Sequence, residues 1–146
     1  MSEQRDHRRI CEYLAYYHVV TLATQDDDGL WCANCFYVFE EATMSLYIMT
    51  DDKARHTQAL MAQAEMAGTV ADQTKNIAQI QGIQFTGVAT RVADADVARV
   101  KSLYCAQFPV ARLKSAPLWR IALNSIKMTD NTLGFGKKHV WQRMDG

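Results

Sequence analysis

The sequence has no long apolar run and no leader-like segment. None of its 146 residues belongs to a stretch near the roughly 18 apolar residues that a membrane-spanning helix requires. The chain begins MSEQRDHRRI, which is polar and charged rather than the apolar core of a signal peptide. We therefore expect a cytoplasmic protein without a membrane partner, in which the cysteines stay reduced.

An excess of charge of one sign is also missing. Lys and Arg number 16, Asp and Glu number 16, and the net charge is zero. Nucleic-acid binders normally carry a basic surface, so this balance argues against a nucleic-acid partner. Hydrophobic residues make up 49% of the chain, which is typical of globular proteins. Since no linker or repeat interrupts the pattern, we expect residues 1–146 to form a single domain.

Familiar catalytic and metal-binding motifs are missing as well. The chain has neither the G-x-S-x-G elbow of serine hydrolases nor a Walker loop, and its histidines do not have metal-ligand spacing. Cys32 and Cys35 form a C-x-x-C, but residues three apart in a strand point to opposite faces of a sheet. We therefore expect no metal site, and we expect these two cysteines to pack in the core.

Short strand-like runs joined by turns are what the chain does contain. The Asp28-Gly29 pair predicts a hairpin, and Gly82 and Gly87 within a long strand predict bends. Short hairpin links exclude most parallel crossovers, so we expect a mainly β fold, an antiparallel barrel with peripheral helices. Strands are predicted over residues 18–24, 30–39, 46–49, 66–72, 77–92, 118–128 and 137–144, and helices over about 5–17, 53–63 and 97–108.

The stretch SLYIMTDDKARHTQ, residues 45–58, carries the main candidate site. It begins as an apolar strand, breaks at Thr50, and then presents Lys53, Arg55 and His56 where the next helix is predicted to begin. Basic side chains beside the free N–H groups of a helix start can bind a phosphate. A solvated helix start has the same composition, so the local pattern leaves both interpretations open.

The order of these segments resembles the pyridoxamine 5'-phosphate oxidase-like split barrels, which bind FMN. The strand HVVTLAT, an acidic Gly turn, LYIMT-x-x-x-A-R-H and a strand ending in GVATRV follow the family's order over nearly the whole chain. The segments LWCANCFY, GIQFTG, FPVAR and DNTLGFGKK resemble its uncharacterised YhbP-like branch. The resemblance implies an antiparallel split β-barrel and a homodimer with one FMN in each of two clefts between the subunits.

The resemblance also implies roles for individual residues. Thr50 matches a threonine that holds the FMN phosphate in the oxidases, and Ala54-Arg55-His56 stands where they have Ser-Arg-Lys. Lys53 then replaces the missing lysine charge. Asn34 stands where the oxidases have an arginine near the flavin, and Gln81 lies where they have a glutamine that contacts it.

The oxidases' substrate site is not part of the resemblance. Their C-terminal R-x-H arrangement is missing from LGFGKKHVWQRMDG, so pyridoxamine phosphate oxidation is not expected, and no catalytic residue is assigned. One hypothesis is an FMN-dependent oxidoreductase acting on a small substrate. The alternative is a non-catalytic binding module that carries or senses FMN, or that binds haem or the deazaflavin F420. A structural dimer without cofactor is a third.

Overall fold

A computed structural model describes residues 2–144 of the chain. Three α-helices are present, α1 (Ser2–Tyr16), α2 (Arg55–Ala62) and α3 (Val97–Gln107). The strands are β1 (Val19–Asp26), β2 (Gly29–Phe36), β3 (Val38–Glu40), β4 (Ser45–Met49), β5 (Glu65–Ala71), β6 (Gln81–Arg91), β7 (Leu118–Asp130) and β8 (Lys138–Gln142).

The eight strands form one antiparallel sheet. Its order is β2-β1-β5-β6-β7-β4-β3, and β8 pairs with β7. Alternate residues of β1, β5, β6 and β7 point into a common core, which includes the fully buried Leu22, Val70, Ile121 and Leu123. The mainly β, antiparallel fold with peripheral helices is the one that the hairpin spacing predicts. Within residues 2–144, no helix is long and apolar enough to cross a membrane.

The structure corrects several predicted boundaries. The strand predicted over residues 30–39 breaks at Tyr37, so that β2 pairs with β1 while β3 pairs with β4. Tyr37 is fully buried, and its hydroxyl donates to the Leu14 carbonyl of α1 at 2.7 Å. A tertiary contact therefore breaks the strand where the sequence has no turn signal. The segment Ile77–Gln79, predicted as strand, is a 3₁₀ turn, and β6 begins after it.

The bend predicted in the long strand β6 is present at Gly87 only. The register with β7 shifts between Thr86 and Gly87, as in a β-bulge. A Cβ atom at Gly87 would lie 2.9 Å from the Ala122 carbonyl oxygen, so the close approach of the two strands requires glycine here. The bend predicted at Gly82 is wrong, because pairing with both neighbouring strands runs through that residue without a shift.

A buried polar cluster fastens α1 to the barrel, and we call Asp6, Arg9, Asp130 and His139 the α1 latch. Arg9 donates to Asp130 at 2.7 Å. His139 places Nδ1 2.8 Å from an Asp6 carboxylate oxygen and Nε2 3.3 Å from an Asp130 oxygen. Asp130 and His139 are fully buried. Each ring nitrogen of His139 therefore faces a carboxylate oxygen, one from α1 and one from β7.

The latch changes the pKa of both of its carboxyl groups. Burial alone would raise the pKa of Asp130, but hydrogen bonds, including those from Thr132, Arg9 and His139, hold it well below its usual range. Burial likewise acts against Asp6, whose pKa is nevertheless lowered by hydrogen bonds from the His139 side chain and the Val140 N–H. Both carboxylates are therefore ionised at neutral pH, and that of Asp130 attracts the Arg9 guanidinium.

Candidate functional site

The end of β4 and the start of α2 are joined through Thr50. Its side chain is buried, and its backbone N–H donates to the Pro117 carbonyl at 3.0 Å. The hydroxyl lies 2.7 Å from Nε2 of His56 and 3.1 Å from the hydroxyl of the fully buried Thr57. Strand and helix start are thereby held in a fixed relation, with His56 turned toward the strand end.

Helix α2 begins without a side-chain cap. Ala54 is its N-cap residue and has no side chain that can accept a hydrogen bond from the first turn. The first N–H groups of a helix cannot bond within it, so those of α2 are available to a ligand. Lys53, predicted in the first turn of the helix, lies instead in the preceding loop, where its N–H donates to the Asp51 carboxylate at 2.9 Å.

Arg55 supplies an exposed positive charge at the first position of α2. Its guanidinium carbon lies 4.1 Å from the ring centroid of Trp31 on strand β2. A guanidinium over an indole face gains a cation–π attraction, and the stacked arrangement leaves the N–H groups at the edge of the fork available to an anion. We call Thr50, Lys53, Arg55 and His56 the α2 seat.

Both acidic residues beside the seat, Asp51 and Asp52, have partners within the chain. Asp51 accepts the Lys53 N–H and so stabilises the turn. Asp52 forms an ion pair with Arg91 at the end of β6. Both partners of that pair are about half exposed, so solvent screens it, yet the charge of Asp52 is locally offset. An anion at the start of α2 therefore meets less repulsion than the sequence Thr50-Asp51-Asp52 suggests.

Cys35 of β2 also faces the seat. Its sulfur lies 3.7 Å from Nε2 of His56. Burial raises the pKa of the Cys35 thiol to about 11 and lowers the pKa of His56 below its ordinary value. Both groups are thus predominantly uncharged at neutral pH, and the positive charge of the seat comes from Arg55 and Lys53.

The two cysteines of the C-x-x-C point to opposite faces of β2, as their spacing predicts. Cys32 is exposed, whereas Cys35 packs against the core and His56. The expectation that both pack in the core is therefore wrong for Cys32. Strand β2 is an edge strand in the sheet order, and the residues that the structure describes leave its outer face open to solvent.

Two of the six predicted cofactor residues lie apart from the seat within one chain. Asn34 is on the opposite face of β2 from Cys35, and its side-chain oxygen accepts a hydrogen bond from Thr21 at 2.6 Å. Gln81 begins β6, and its side-chain amide donates to the latch residue Asp130 at 3.1 Å.

Sequence reasoning did not assign Trp31 and Cys35 to this site. Their spacing of four puts them on one face of a strand. The pairing of β2 with β1 then decides that this face looks toward α2, and nothing within β2 itself indicates which face does so.

The chain has close relatives among curated proteins, although no protein-family model matches it. It is 48% identical over 137 residues to the UPF0306 protein YhbP of Escherichia coli strain SMS-3-5, covering 94% of this chain and 93% of that protein. It is 45% identical over 143 residues to a UPF0306 protein of Photorhabdus laumondii, covering 98% of this chain and all of that protein.

Solved structures show the same fold at low sequence identity. A haem-binding protein from Mycobacterium smegmatis matches 97% of this chain with 58% of its own, at 16% identity and a TM-score of 0.76. A FAD-binding protein from Mesorhizobium loti matches 83% with 91% of its own, at 12% identity and a TM-score of 0.69. A Listeria innocua protein, provisionally assigned as a pyridoxamine 5'-phosphate oxidase, matches 84% of this chain with 96% of its own length. Its sequence identity is 12% and its TM-score is 0.67. The fold is therefore an antiparallel split β-barrel, as the resemblance implied.

Proposed function

Because the chain belongs to the UPF0306 family of YhbP-like proteins, we propose that it binds FMN with the flavin phosphate at the α2 seat. The observation that supports this most directly is the uncapped start of α2, where Thr50 contacts His56 and the Arg55 guanidinium is held over Trp31. A phosphate at this position supplies the acceptor oxygens that the missing cap does not. Phosphate also suits the Arg55 fork, which donates two parallel hydrogen bonds to such a group.

Each seat residue has a distinct task in this proposal. Arg55 holds the phosphate while its own guanidinium is oriented by Trp31. The Thr50 hydroxyl fixes the position of the His56 imidazole, which stays neutral at neutral pH and acts through hydrogen bonding. Lys53 adds a flexible charge from the loop. A bound flavin supplies redox chemistry through its ring system, and the chain supplies placement and electrostatics.

We also propose that the site is completed by a second copy of the chain. Asn34 and Gln81 lie apart from the seat within one chain. The outer edge of the sheet exposes large apolar side chains, with Leu30 76% and Phe36 55% exposed. Exposed apolar side chains on an edge strand favour association with another surface. A homodimer that covers this edge accounts for both features.

The chemistry of the bound cofactor divides the proposal into two functions. An FMN-dependent oxidoreductase acting on a small substrate is the first. A carrier or sensor without redox turnover is the second, and it is supported by Ala54 in place of the oxidases' serine and by the missing C-terminal R-x-H arrangement. Haem and the deazaflavin F420 are the other planar ligands to test in this second case.

Titration of the full-length protein with FMN tests the proposal. Arg55→Ala should weaken FMN binding by about 1.5–3 kcal/mol, the range for a hydrogen bond to a charged group. Riboflavin, which lacks the phosphate, should bind the wild type and Arg55→Ala equally. Arg112→Ala is the matched control, since Arg112 is an exposed arginine on a 3₁₀ turn outside the seat.

The outcomes separate the alternatives. Failure to bind FMN contradicts the proposal, and haem and F420 are then titrated in the same way. An unchanged FMN affinity in Arg55→Ala moves the phosphate away from α2. Bound flavin that NAD(P)H reduces without oxygen supports the oxidoreductase, whereas bound flavin that neither NADH nor NADPH reduces supports the carrier or sensor.

A further inference from the structure

A second group of chemically distinctive side chains lies on the other side of the barrel, where α1 meets the turn before β4. His7 and Cys11 occupy positions i and i+4 of α1 and so lie on one face of the helix. Nε2 of His7 lies 3.6 Å from Sγ of Cys11, and that thiol donates to Sδ of Met44 at 3.8 Å. A carboxylate oxygen of Glu41 lies within 4.8 Å of the His7 and Cys11 donor atoms. We call His7, Cys11 and Met44 the soft cluster.

Met44 is held in place by its backbone. It adopts a left-handed conformation, with φ of 47°, at the end of the 3₁₀ turn Glu41–Thr43, and within residues 2–144 no other non-glycine residue has a positive φ. Its carbonyl accepts hydrogen bonds from the Leu123 N–H at 3.0 Å and from Arg143 at 2.9 Å. A non-glycine residue in this conformation is strained and persists only where the surrounding structure holds it. The strained turn is thus fixed from outside, with the thioether buried against Cys11.

The distances within the soft cluster match the edges of a metal coordination polyhedron. With metal–sulfur and metal–nitrogen bonds of about 2.3 and 2.0 Å, two ligands at tetrahedral angles lie about 3.6 Å apart for S and N, and about 3.8 Å apart for two sulfurs. The His7–Cys11 and Cys11–Met44 distances of 3.6 and 3.8 Å have these values. The two edges that share the Cys11 sulfur thus have the lengths that a bound metal ion requires.

A large cavity lies beside the His7 end of the soft cluster. His7 lines a cavity of about 890 Å³ between the start of α1 and strands β6 to β8. Trp141 and Met144 line the same cavity, and the ring centroids of His7 and Trp141 are 6.4 Å apart. Cys11 and Met44 are buried. His7 is therefore the member of the soft cluster that borders the cavity, and a metal site requires an entry path of this kind.

We propose that His7, Cys11 and Met44 form a copper(I) site, with the exposed Glu41 at its edge. A thiolate and a thioether are soft ligands that favour copper(I) over the hard divalent cations, and an imidazole also suits copper. Binding exchanges the thiol proton of Cys11 for the metal and releases that proton to solvent, without transfer of an electron. The site does not depend on the flavin proposal, since none of its residues belongs to the α2 seat.

Copper(I) titration of the full chain without oxygen, against a coloured copper(I) chelator, tests this site. The wild type should retain a single copper(I) ion per chain. Cys11→Ser should lower the affinity by at least about 100-fold and Met44→Leu by about 10-fold, since each removes one metal–sulfur bond. Met44→Leu keeps the buried volume, and its fold is checked by circular dichroism. Cys35→Ser is the matched control, because Cys35 also contacts a histidine but has no thioether within the contacts of its sulfur.

X-ray absorption of the copper-loaded protein supplies a second readout that a purely structural role would not affect. Two sulfur scatterers and one nitrogen scatterer support the proposal, and Met44→Leu should lose one sulfur. Retention of no copper(I), or equal retention by Cys11→Ser, overturns it. Equal affinity in Met44→Leu and the wild type also overturns it, because the thioether is then not a ligand.

Discussion

The chain contains two cysteine–histidine contacts of almost equal length whose surroundings have opposite chemical character. Cys35 and His56 lie 3.7 Å apart beside a hydroxyl and a guanidinium. Cys11 and His7 lie 3.6 Å apart beside a thioether and a carboxylate. The same pair of side chains thus lies beside hydrogen-bond donors in one place and beside a soft thioether and a carboxylate in the other.

The third partner therefore decides what each pair can bind. Around Cys35–His56, the N–H groups of α2 and the Arg55 fork favour an oxyanion. Around Cys11–His7, the Met44 sulfur favours a soft cation. A cysteine–histidine contact alone does not distinguish these cases, and an interpretation based on that pair would treat the two regions alike.

The two regions also differ in how they are attached to the barrel. The α2 seat is bounded by strand ends and a short loop, whereas the soft cluster depends on α1, which the latch holds against β7 and β8. We expect Asp130→Asn to lower the free energy of unfolding by about 3–5 kcal/mol, since it removes the fully buried carboxylate that contacts both Arg9 and His139 and leaves His139 with Asp6 alone. Amide hydrogen exchange should show the loss of protection in α1 before any loss in α2.

Acid should have the same selective effect in the wild type. The pKa values of Asp6 and Asp130 are lowered in the folded chain. The stability that they contribute is therefore present above their unfolded value of 3.8 and is lost as the pH falls through the folded pKa. Urea unfolding should show that the free energy of unfolding falls steeply below about pH 4. Asp130→Asn should make this dependence on pH flatter. Asp27→Asn, in an exposed turn, is the control, and an equally flat profile there contradicts the assignment.

Much of the fold and less of the sites could be predicted from the sequence, for a physical reason. The hairpin at Asp28-Gly29 is local, so residue type is enough to predict it. Glycine alone does not predict a bend, because the register shifts at Gly87 and not at Gly82. The break at Tyr37 depends on a hydrogen bond to α1, and no residue near it indicates the break. The soft cluster is still less local, because Met44 lies 33 positions from Cys11 and no spacing motif joins them.

The α2 seat occupies an intermediate position. Its four residues fall within one short segment, so the sequence finds them together. Asn34 and Gln81 were added through the family resemblance, and the sheet pairing places them on another face and at another end of the barrel. Sequence position alone contains no information about which face of β2 looks toward α2.

Thiol chemistry sharpens the comparison between the two pairs. Burial raises the pKa of Cys35 to about 11 from the ordinary 9.0, so its thiolate fraction near pH 8 is roughly 100-fold below that of a free cysteine. Burial, with the charges of Glu41 and Glu12, raises the pKa of Cys11 to about 12. Iodoacetamide should therefore modify Cys35 slowly and Cys11 more slowly still.

Peptide mass spectrometry over time measures both rates, with the exposed Cys32 as the internal reference. FMN should slow the modification of Cys35 and leave Cys11 unchanged, whereas copper(I) should slow Cys11 and leave Cys35 unchanged. If either ligand protects both thiols equally, the two regions are not separate sites.

The smallest expected effect concerns Asp52 beside the α2 seat. Asp52→Asn removes a negative charge near the start of α2 and releases Arg91 from its ion pair. Both changes favour an anion, but the pair is about half exposed, so we expect FMN to bind more tightly by less than about 1 kcal/mol. The gain in FMN affinity should shrink as the salt concentration is raised. Asp96→Asn, directly before α3, is the control and should leave FMN affinity unchanged. Copper(I) affinity should stay unchanged, because no hydrogen bond or ion pair within residues 2–144 joins Asp52 to the soft cluster. Weaker FMN binding in Asp52→Asn would mean that the Asp52–Arg91 pair orders the loop of Lys53 rather than repelling the phosphate.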